Sequence, residues 1–362
     1  MQGQDQDGLI IKDNNMTYTQ KDIYRFVRPN IMRLKPYSCA RDEYTGHDGV
    51  FIDANENPFR NGFNRYPDPR QMELKRRLSE VKNVPVGRIF IGNGSDEAID
   101  LCFRIFCVPG TDNVISIAPS YGMYQVSADI NDVEVREVRL NDDFSLPLAS
   151  LLSAADDRSR LMFLCSPNNP TGNSFAQEDI LLLAERFDGI IVVDEAYIDF
   201  SDHDSLLSRD ELPGNIIVLQ TLSKAYGMAG LRLGLAFACE NIIDLFSKVK
   251  YPYNINQAGM NEAFSLLGRD VGKEVAEIRS ERLRVAEALR TKPNVRKVYP
   301  SDANFLLVEV DDADETYERL VRRKVIVRNR NNVAGCEGCL RITIGTKAEN
   351  DILLSSISED DE

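Results

Sequence analysis

The chain has 362 residues, which is long enough for two domains, and its 43% hydrophobic and 28% charged residues are typical of a globular protein. Its formal net charge of −14 argues against nucleic acid or an anionic membrane as a partner, because both attract an excess of Lys and Arg. No apolar run reaches the roughly 18 to 20 residues that span a bilayer, and the polar N-terminus does not resemble a secretory signal.

Cysteine and histidine usage limits the chemistry further. The seven cysteines, an odd number in mostly apolar settings, favour free thiols in a reducing cytoplasm. Cys336 and Cys339 form one Cys-x-x-Cys pair, but a zinc site needs more ligands, and the chain has only His47 and His203. We therefore expect no metal and no histidine-activated nucleophile, which makes lysine a candidate for proton transfer.

The first three parts of the chain are an extension, a connecting segment and a large domain. We expect residues 1–16 to be a flexible extension and residues 17–60 to be a segment without its own sheet that packs on the small domain. Over residues 61–265, short runs rich in β-branched residues alternate with helical patterns, which predicts an α/β fold whose mostly parallel sheet is flanked by helices. The predicted strands are 88–92, 113–118, 133–138, 160–165, 189–194, 215–220 and 231–238, and the predicted helices include 95–106 and 176–187.

The pattern changes in the last part of the chain. Residues 273–291 have helical spacing, and they are followed by predicted strands at 303–310, 325–329 and 340–345. We expect residues 266–362 to form a smaller α+β domain. A ligand would then bind beyond the carboxyl ends of the strands in the larger sheet.

Two turns after predicted buried strands carry hydrogen-bonding groups. "GNGSDEAI" opens a helix with Ser95 and Asp96, which are good N-cap residues, and the free amides at a helix start suit a phosphate. "SPNNPTG" offers the side chain of Asn169. Taken singly, each stretch is equally well explained as a plain turn.

Two further turns carry charges. "DEAYIDF" places Asp194 at the end of an apolar strand, where a carboxylate needs a cationic partner, and brings Tyr197 three residues later. "TLSKAYGMAGLRLG" holds Lys224 and Arg232 among small and apolar residues, where a buried ammonium is costly unless it is compensated. A buried ion pair and a snorkelling surface lysine are the ordinary alternatives.

The four turns together suit one coenzyme, pyridoxal 5′-phosphate. A lysine amine condenses with its aldehyde, which removes the cost of burying an ammonium. An aspartate keeps the pyridine nitrogen protonated, so that the ring accepts electrons. A helix N-terminus, hydroxyl groups and an arginine bind the phosphate.

The chain resembles the fold-type I pyridoxal-phosphate-dependent aminotransferases over about residues 20–350. "TLSKAYGMAG" matches the lysine signature of that family, and "NENPF", "NRYPDP", "PSYGMY", "SPNNPTG", "VVDEAYIDF" and "LRITIGT" are similar in type and order. Within the family, the resemblance is to the branch of histidine biosynthesis that acts on L-histidinol phosphate. It implies interconversion of L-histidinol phosphate and 2-oxoglutarate with imidazole-acetol phosphate and L-glutamate.

The resemblance also implies a role for each matching residue. Lys224 would hold the coenzyme and carry a proton between the substrate Cα and the coenzyme C4′. The other implied coenzyme contacts are Asp194 at the pyridine nitrogen, Asn169 and Tyr197 at the ring oxygen, Tyr121 on the ring face, and Ser95, Asp96, Thr221, Ser223 and Arg232 at the phosphate. Tyr66 would reach the coenzyme phosphate of the neighbouring subunit, which implies a homodimer. Tyr37, Arg328 and Arg341 would hold the substrate phosphate.

Three other functions stay open at this point. A threonine-phosphate decarboxylase and an aromatic amino-acid aminotransferase share the fold and coenzyme, and the reaction depends on which Cα bond stands perpendicular to the ring. A non-enzymatic effector-binding module is the alternative from another class, because fold alone does not determine function. Such a module would need a DNA-binding domain, and only about 20 polar residues precede the matching region.

Overall fold

The computed structural model describes residues 22–38 and 49–358. The α-helices are α1 (Pro29–Arg33), α2 (Met72–Lys82), α3 (Ser95–Phe106), α4 (Met123–Ile130), α5 (Leu148–Ser153), α6 (Gln177–Arg186), α7 (Glu240–Val249), α8 (Gln257–Leu266), α9 (Gly272–Arg290), α10 (Ala313–Arg322) and α11 (Lys347–Ser356). The strands are β1 (Ile89–Asn93), β2 (Asn113–Ala118), β3 (Glu134–Arg139), β4 (Ser159–Cys165), β5 (Ile190–Asp194), β6 (Ile216–Thr221), β7 (Leu233–Phe237), β8 (Val295–Val298), β9 (Phe305–Val310), β10 (Arg328–Asn329) and β11 (Cys339–Thr343). Short 3₁₀ turns lie at Ile23–Phe26, Val86–Arg88, Ile198–Phe200, Leu206–Ser208 and Ala229–Leu231. The predicted extension lies outside the described residues.

The larger sheet has seven strands in the order β1-β7-β6-β5-β4-β2-β3. The pairs among β2, β3, β4, β5 and β6 are parallel, and β7 runs antiparallel to both β1 and β6. The strand β1 therefore points in the same direction as β6, so the carboxyl ends of β1, β4, β5 and β6 lie at one edge of the sheet. This arrangement confirms the predicted α/β fold with a mostly parallel sheet.

The central strands β5 and β6 of this sheet are mostly apolar because helices cover both faces. Every residue of β5 and β6 is buried. Along β5, Ile191 and Val193 belong to the core on one face, and Ile190 and Val192 belong to the core on the other. The helix α3 has the predicted bounds, since its amphipathic pattern begins just after a Gly-rich turn.

The smaller sheet is antiparallel, with four strands in the order β10-β11-β9-β8. The helices α9, α10 and α11 contribute Val285, Leu320 and Leu353 to the core beneath it. The two sheets meet through a separate apolar cluster in which Tyr197 packs edge-on against Phe305, with ring centroids 5.1 Å apart. The C-terminal part therefore has the predicted α+β character. The first residue of its strand β9, Phe305, lies beside the carboxyl edge of the larger sheet.

The described start of the N-terminal segment packs on the large sheet's helices, which differs from the predicted packing on the small domain. Ile23, Phe26 and Ile31 are buried in the same cluster as α3, and the backbone nitrogen of Arg28 donates to the carbonyl of Ile105 at 2.9 Å. The physical reason is that α3 is apolar on more than the face that meets the sheet, so its outer side also needs a cover.

No helix within residues 22–38 and 49–358 combines the length and apolar character that crossing a membrane requires.

Candidate active site

An open pocket of about 530 Å³ lies at the carboxyl edge of the large sheet. Its lining residues are Gly94, Ser95, Asp96, Tyr121, Cys165, Asn169, Asp194, Ala196, Tyr197, Thr221, Ser223, Lys224 and Arg232. The turns after β1, β4, β5 and β6 thus come together as the parallel topology predicts. Every residue predicted to bind coenzyme lines this pocket except Tyr66.

Asp194 ends β5 and is buried at the floor of the pocket. It accepts hydrogen bonds from the Tyr124 hydroxyl at 2.9 Å and from the backbone nitrogen of Ala196 at 3.1 Å. Burial raises the pKa of this carboxyl to about 6, and the hydrogen bond from Tyr124 offsets part of that rise. Asp194 has no ion pair among the described residues, so its carboxylate is suited to a cationic group inside the pocket.

Lys224 projects from the turn after β6 into the pocket. Its Nζ lies 5.5 Å from the centroid of the Tyr197 ring. The sequence predicted a buried lysine, but its side chain is exposed to the open pocket, because the turn directs it outward from the core. Desolvation by the pocket walls, followed by the nearby charge of Arg341, still lowers the pKa of Lys224 below its ordinary value. A larger share of neutral amine favours both covalent attachment and proton transfer.

The start of α3 forms the other end of the pocket. Gly94, rather than the predicted Ser95, occupies the N-cap position, with a φ of 77° that favours glycine. Its nitrogen donates to the carbonyl of Arg232 at 2.7 Å, which joins this turn to β7. The Thr221 hydroxyl accepts from the Ser223 nitrogen at 3.1 Å. These amides, hydroxyls and the Arg232 guanidinium make a concave site for an anion.

Tyr121 forms one wall of the pocket, and its hydroxyl donates to Asp96 at 3.2 Å. Burial and the charge of Asp96 raise the pKa of Tyr121 above its ordinary value, so the phenol stays neutral. Its ring lies edge-on to Tyr124, with centroids 5.6 Å apart. The pair therefore links the pocket wall to the group that hydrogen-bonds Asp194.

The small domain contributes arginines beside the pocket. Arg341 on β11 donates from Nη1 to the side-chain oxygen of Asn169, which joins the two sheets. Its guanidinium also lies over the Phe305 ring, 5.3 Å from the centroid. Arg328 on β10 is the register partner of Arg341, so their side chains leave the same face of the small sheet. Neither arginine has an ion pair among the described residues.

The chain matches the family model for aminotransferase class I and II over residues 50–357. It is 53% identical over 341 residues to the histidinol-phosphate aminotransferase of Parabacteroides distasonis, which covers 93% of this chain and 98% of that protein. It is 51% identical over 342 residues to the same-named enzyme of Bacteroides fragilis strain YCH46, with 94% and 99% covered.

This chain belongs to the class I and II aminotransferases.

Solved structures of similar fold agree with this placement. The histidinol-phosphate aminotransferase of Sinorhizobium meliloti in complex with pyridoxal-5′-phosphate has a TM-score of 0.72 and 26% identity, covering 82% of each chain. The enzyme of the same name from Clostridium acetobutylicum has a TM-score of 0.74 at 24% identity, covering 81% of this chain and 89% of that one, and shows the shared fold. The fold and enzyme class predicted from the sequence are therefore confirmed.

Four predicted site residues of this aminotransferase do not line the pocket of their own chain. Arg341 and Arg328 lie beside it on the small sheet, and Tyr66 and Tyr37 lie elsewhere. Tyr66 is half exposed and stacks on Tyr253, with ring centroids 4.5 Å apart. Tyr37 is also exposed, and it does not line this pocket. Their predicted roles at a subunit contact and at the substrate phosphate stay predictions.

Sequence reasoning missed Tyr124 and Arg330. Tyr124 lies within "PSYGMY", and its hydroxyl donates to Asp194. Arg330 follows Arg328 by two residues, a spacing that puts both side chains on one face of an extended strand. That alternation is the signal that would have found Arg330.

The sequence predicts that the protein binds no metal ion. No group of three or more metal-ligating side chains occurs within the described part of the chain. Cys336 and Cys339 are free thiols buried beside Leu307 and Phe144, and His47 lies outside the described residues.

Proposed function

We propose that this aminotransferase interconverts L-histidinol phosphate and 2-oxoglutarate with imidazole-acetol phosphate and L-glutamate, a step in L-histidine biosynthesis. The observation that carries the proposal is the convergence of Lys224 and Asp194 in one pocket, with Arg341 at its edge and without an ion pair among the described residues. Enzymes named for this substrate are about 50% identical to this chain over nearly its whole length, which supports the choice of substrate.

The residues of the pocket fit pyridoxal 5′-phosphate. The buried Asp194 would pair with the protonated pyridine nitrogen, which supplies the cation that this carboxylate lacks. The amides at the start of α3, together with Thr221, Ser223 and Arg232, would hold the phosphate. Asp96 would help to fix Tyr121 over the ring through its hydrogen bond. Asn169 and Tyr197 would contact the ring oxygen.

Bound there, the coenzyme supplies an aldehyde for amine exchange and a ring that accepts the electrons of a Cα bond. Lys224 would hold the coenzyme covalently through its Nζ until a substrate amine takes its place. The free Nζ of Lys224 would accept the proton of the substrate Cα and carry it to C4′ of the coenzyme. The lowered pKa of Lys224 favours this exchange, since its neutral amine is the proton acceptor.

Arg341 and Arg328, with Tyr37, would bind the phosphate of the substrate. A guanidinium is always charged and forks onto phosphate oxygens, and the net charge of −14 gives no general attraction for such a substrate. Glutamate and 2-oxoglutarate use the same site in turn, so Arg341 serves a phosphate and a carboxylate. The variant Arg341→Ala should therefore weaken both half-reactions, and loss of only one would refute the dual role.

The enzyme is proposed to act as a homodimer in the cytoplasm. Val50, Ile52, Phe59 and Phe63 are each about two-thirds exposed or more in the single chain, in the stretch that leads to Tyr66. A patch of that kind marks a protein contact. A second subunit covering it would bring Tyr66 to the neighbouring coenzyme phosphate. The six cysteines of the described residues are free thiols, which suits a reducing compartment.

Product analysis with purified holoenzyme tests the proposed reaction. L-Histidinol phosphate, L-threonine phosphate and L-phenylalanine are each supplied with 2-oxoglutarate, and L-glutamate and CO2 are both measured. We expect the highest kcat/KM with L-histidinol phosphate, one glutamate for each amine consumed and no CO2. Release of CO2 from L-threonine phosphate without glutamate would replace the proposal with a decarboxylase.

A further inference from the structure

Arg330 stands immediately after β10, beside the two arginines already placed at the substrate end of the pocket. Its backbone nitrogen donates to the carbonyl of Cys339 at 2.9 Å, which continues the pairing of β10 with β11. Because Arg328 faces Arg341 across this ladder, the two-residue spacing puts Arg330 on the same face as both. Three guanidiniums therefore converge from two adjacent strands.

The side chain of Arg330 is partly buried and lacks acceptors. Its Nε is fully buried without a hydrogen-bond partner in the described residues, and the same is true of Nε of Arg341. Arg330 has no ion pair there either, in a chain with 57 acidic and 43 basic residues. The buried Arg282 shows the usual solution, since it donates to the carbonyls of Ala303 at 2.8 Å and Phe200 at 3.2 Å.

The neighbouring charges of Arg341 and Arg328 disfavour the charged form of Arg330. Burial, then the charges of Arg341 and Arg328, lower the pKa of Arg330 to about 10. Arg330 and Arg341 both act electrostatically on Tyr197, which lines the coenzyme pocket, so the cluster lies within reach of the reacting groups. Within the described residues, these like charges have no ion-paired acid and two buried Nε donors lack partners, an arrangement that a bound anion would complete.

We propose that Arg330 is a third guanidinium of the substrate anion site, which makes this site selective for a dianionic phosphate over a single carboxylate. The assignment rests on the proposed function for the identity of the phosphorylated amine. The interaction energy scales with the product of the charges, so each arginine contributes about twice as much toward a dianion as toward a monoanion. Arg341 alone suffices for the carboxylate of glutamate, whereas the whole cluster acts on phosphate.

Calorimetric titration of the holoenzyme with inorganic phosphate at pH 8 tests this assignment without turnover, because the coenzyme already fills the anion site at α3. Arg330→Gln should raise the Kd of phosphate about tenfold or more, because it removes one charge-assisted hydrogen bond. Arg330→Lys keeps the charge without the fork and should raise it about threefold. The matched control is Arg322→Gln, at an arginine about two-thirds exposed on α10 that pairs with Glu318, and it should leave the Kd unchanged.

The half-reaction with L-glutamate supplies the second readout. In Arg330→Gln we expect its apparent Kd to rise about threefold at most, in keeping with a single carboxylate charge. Equal Kd values for phosphate in Arg330→Gln and Arg322→Gln would overturn the proposal. If Arg330→Gln does not fold, an unchanged Kd in Arg330→Lys overturns it instead.

These outcomes are separable from failure of the proposed reaction. Phosphate binding that depends on Arg330 in an enzyme that does not convert L-histidinol phosphate would support the dianion site and refute only the named substrate.

Discussion

The carboxylate of Asp194 is buried without an ion-pair partner in the described part of the chain. The charge proposed to bind the coenzyme therefore lowers the folding stability of the coenzyme-free protein. The pKa of Asp194 is raised to about 6 from an ordinary value of 3.8. A raised pKa means that this group favours folding fully below pH 3.8, and that its contribution is lost as the pH rises through about 6. At pH 8 the coenzyme-free protein therefore carries a buried charge at a cost.

We predict that Asp194→Asn stabilises the coenzyme-free protein at pH 8 by on the order of 2–3 kcal/mol and has little effect at pH 4. Urea unfolding at both pH values measures this difference. The same variant should lose the absorbance and activity of the coenzyme-bound enzyme, because no carboxylate remains to pair with the pyridine nitrogen. Asp142→Asn, at an exposed position, is the control, and a variant that is less stable than wild type at pH 8 would contradict the account.

The amine of Lys224 is predicted to respond to Arg341. Arg341 is the largest charge contribution that lowers the pKa of Lys224. Arg341→Gln should therefore raise that pKa, so that less neutral amine is present at a given pH below it. The rate at which coenzyme-free protein captures pyridoxal phosphate should fall at pH 8, and its pH profile should move to higher pH. An unmoved profile, equal to that of Arg322→Gln, would show that the two groups do not interact.

The turn between β1 and α3 depends on a close approach of two elements. A Cβ built on Gly234 of β7 would lie 2.0 Å from the backbone nitrogen of Ser95. Gly234→Ala must therefore displace the start of α3, where the amides are proposed to bind the coenzyme phosphate. Glycine at this position thus serves the binding site as well as the packing of the sheet.

We predict that Gly234→Ala lowers the free energy of unfolding by about 1–3 kcal/mol, the cost of overpacking, and weakens coenzyme binding at least tenfold. Thermal unfolding and a titration with pyridoxal phosphate measure the two effects. Gly230→Ala is the matched control, because a Cβ there meets no atom within 4 Å. Equal coenzyme affinity in the two variants would contradict the role assigned to the start of α3.

Secondary structure was predictable where one local pattern decides it. The apolar runs of β5 and β6 and the helix α3 follow from burial on both faces and from amphipathic spacing. The turns of the pocket were predictable because parallel strands end at one edge. Arg330 was not, since its role depends on the register between a two-residue strand and β11. The packing of Phe26 on α3 likewise depends on which surface is left uncovered.

The whole molecule is predicted to be active only as a pair of subunits, because Tyr66 does not line the pocket of its own chain. In a hybrid of Lys224→Ala and Tyr66→Ala subunits, one of the two sites would hold an intact Lys224 and the partner's intact tyrosine. Random mixing makes about half of the dimers hybrid, so about a quarter of wild-type activity should return. No recovery on mixing the two inactive variants would place Tyr66 in its own subunit's site, and a fully active Tyr66→Ala would place it outside the machinery.

A titration of one half-reaction tests the central claim most directly. L-Histidinol phosphate is added to the holoenzyme without a keto acid while the coenzyme absorbance and the released product are followed, with Lys224→Ala as control. The account predicts complete conversion of the absorbance band at one equivalent per site, one imidazole-acetol phosphate formed and no CO2, with turnover absent in the control. A band that persists with L-histidinol phosphate but converts with another amine would contradict the assigned substrate, and a wild-type rate in Lys224→Ala would contradict the assigned mechanism.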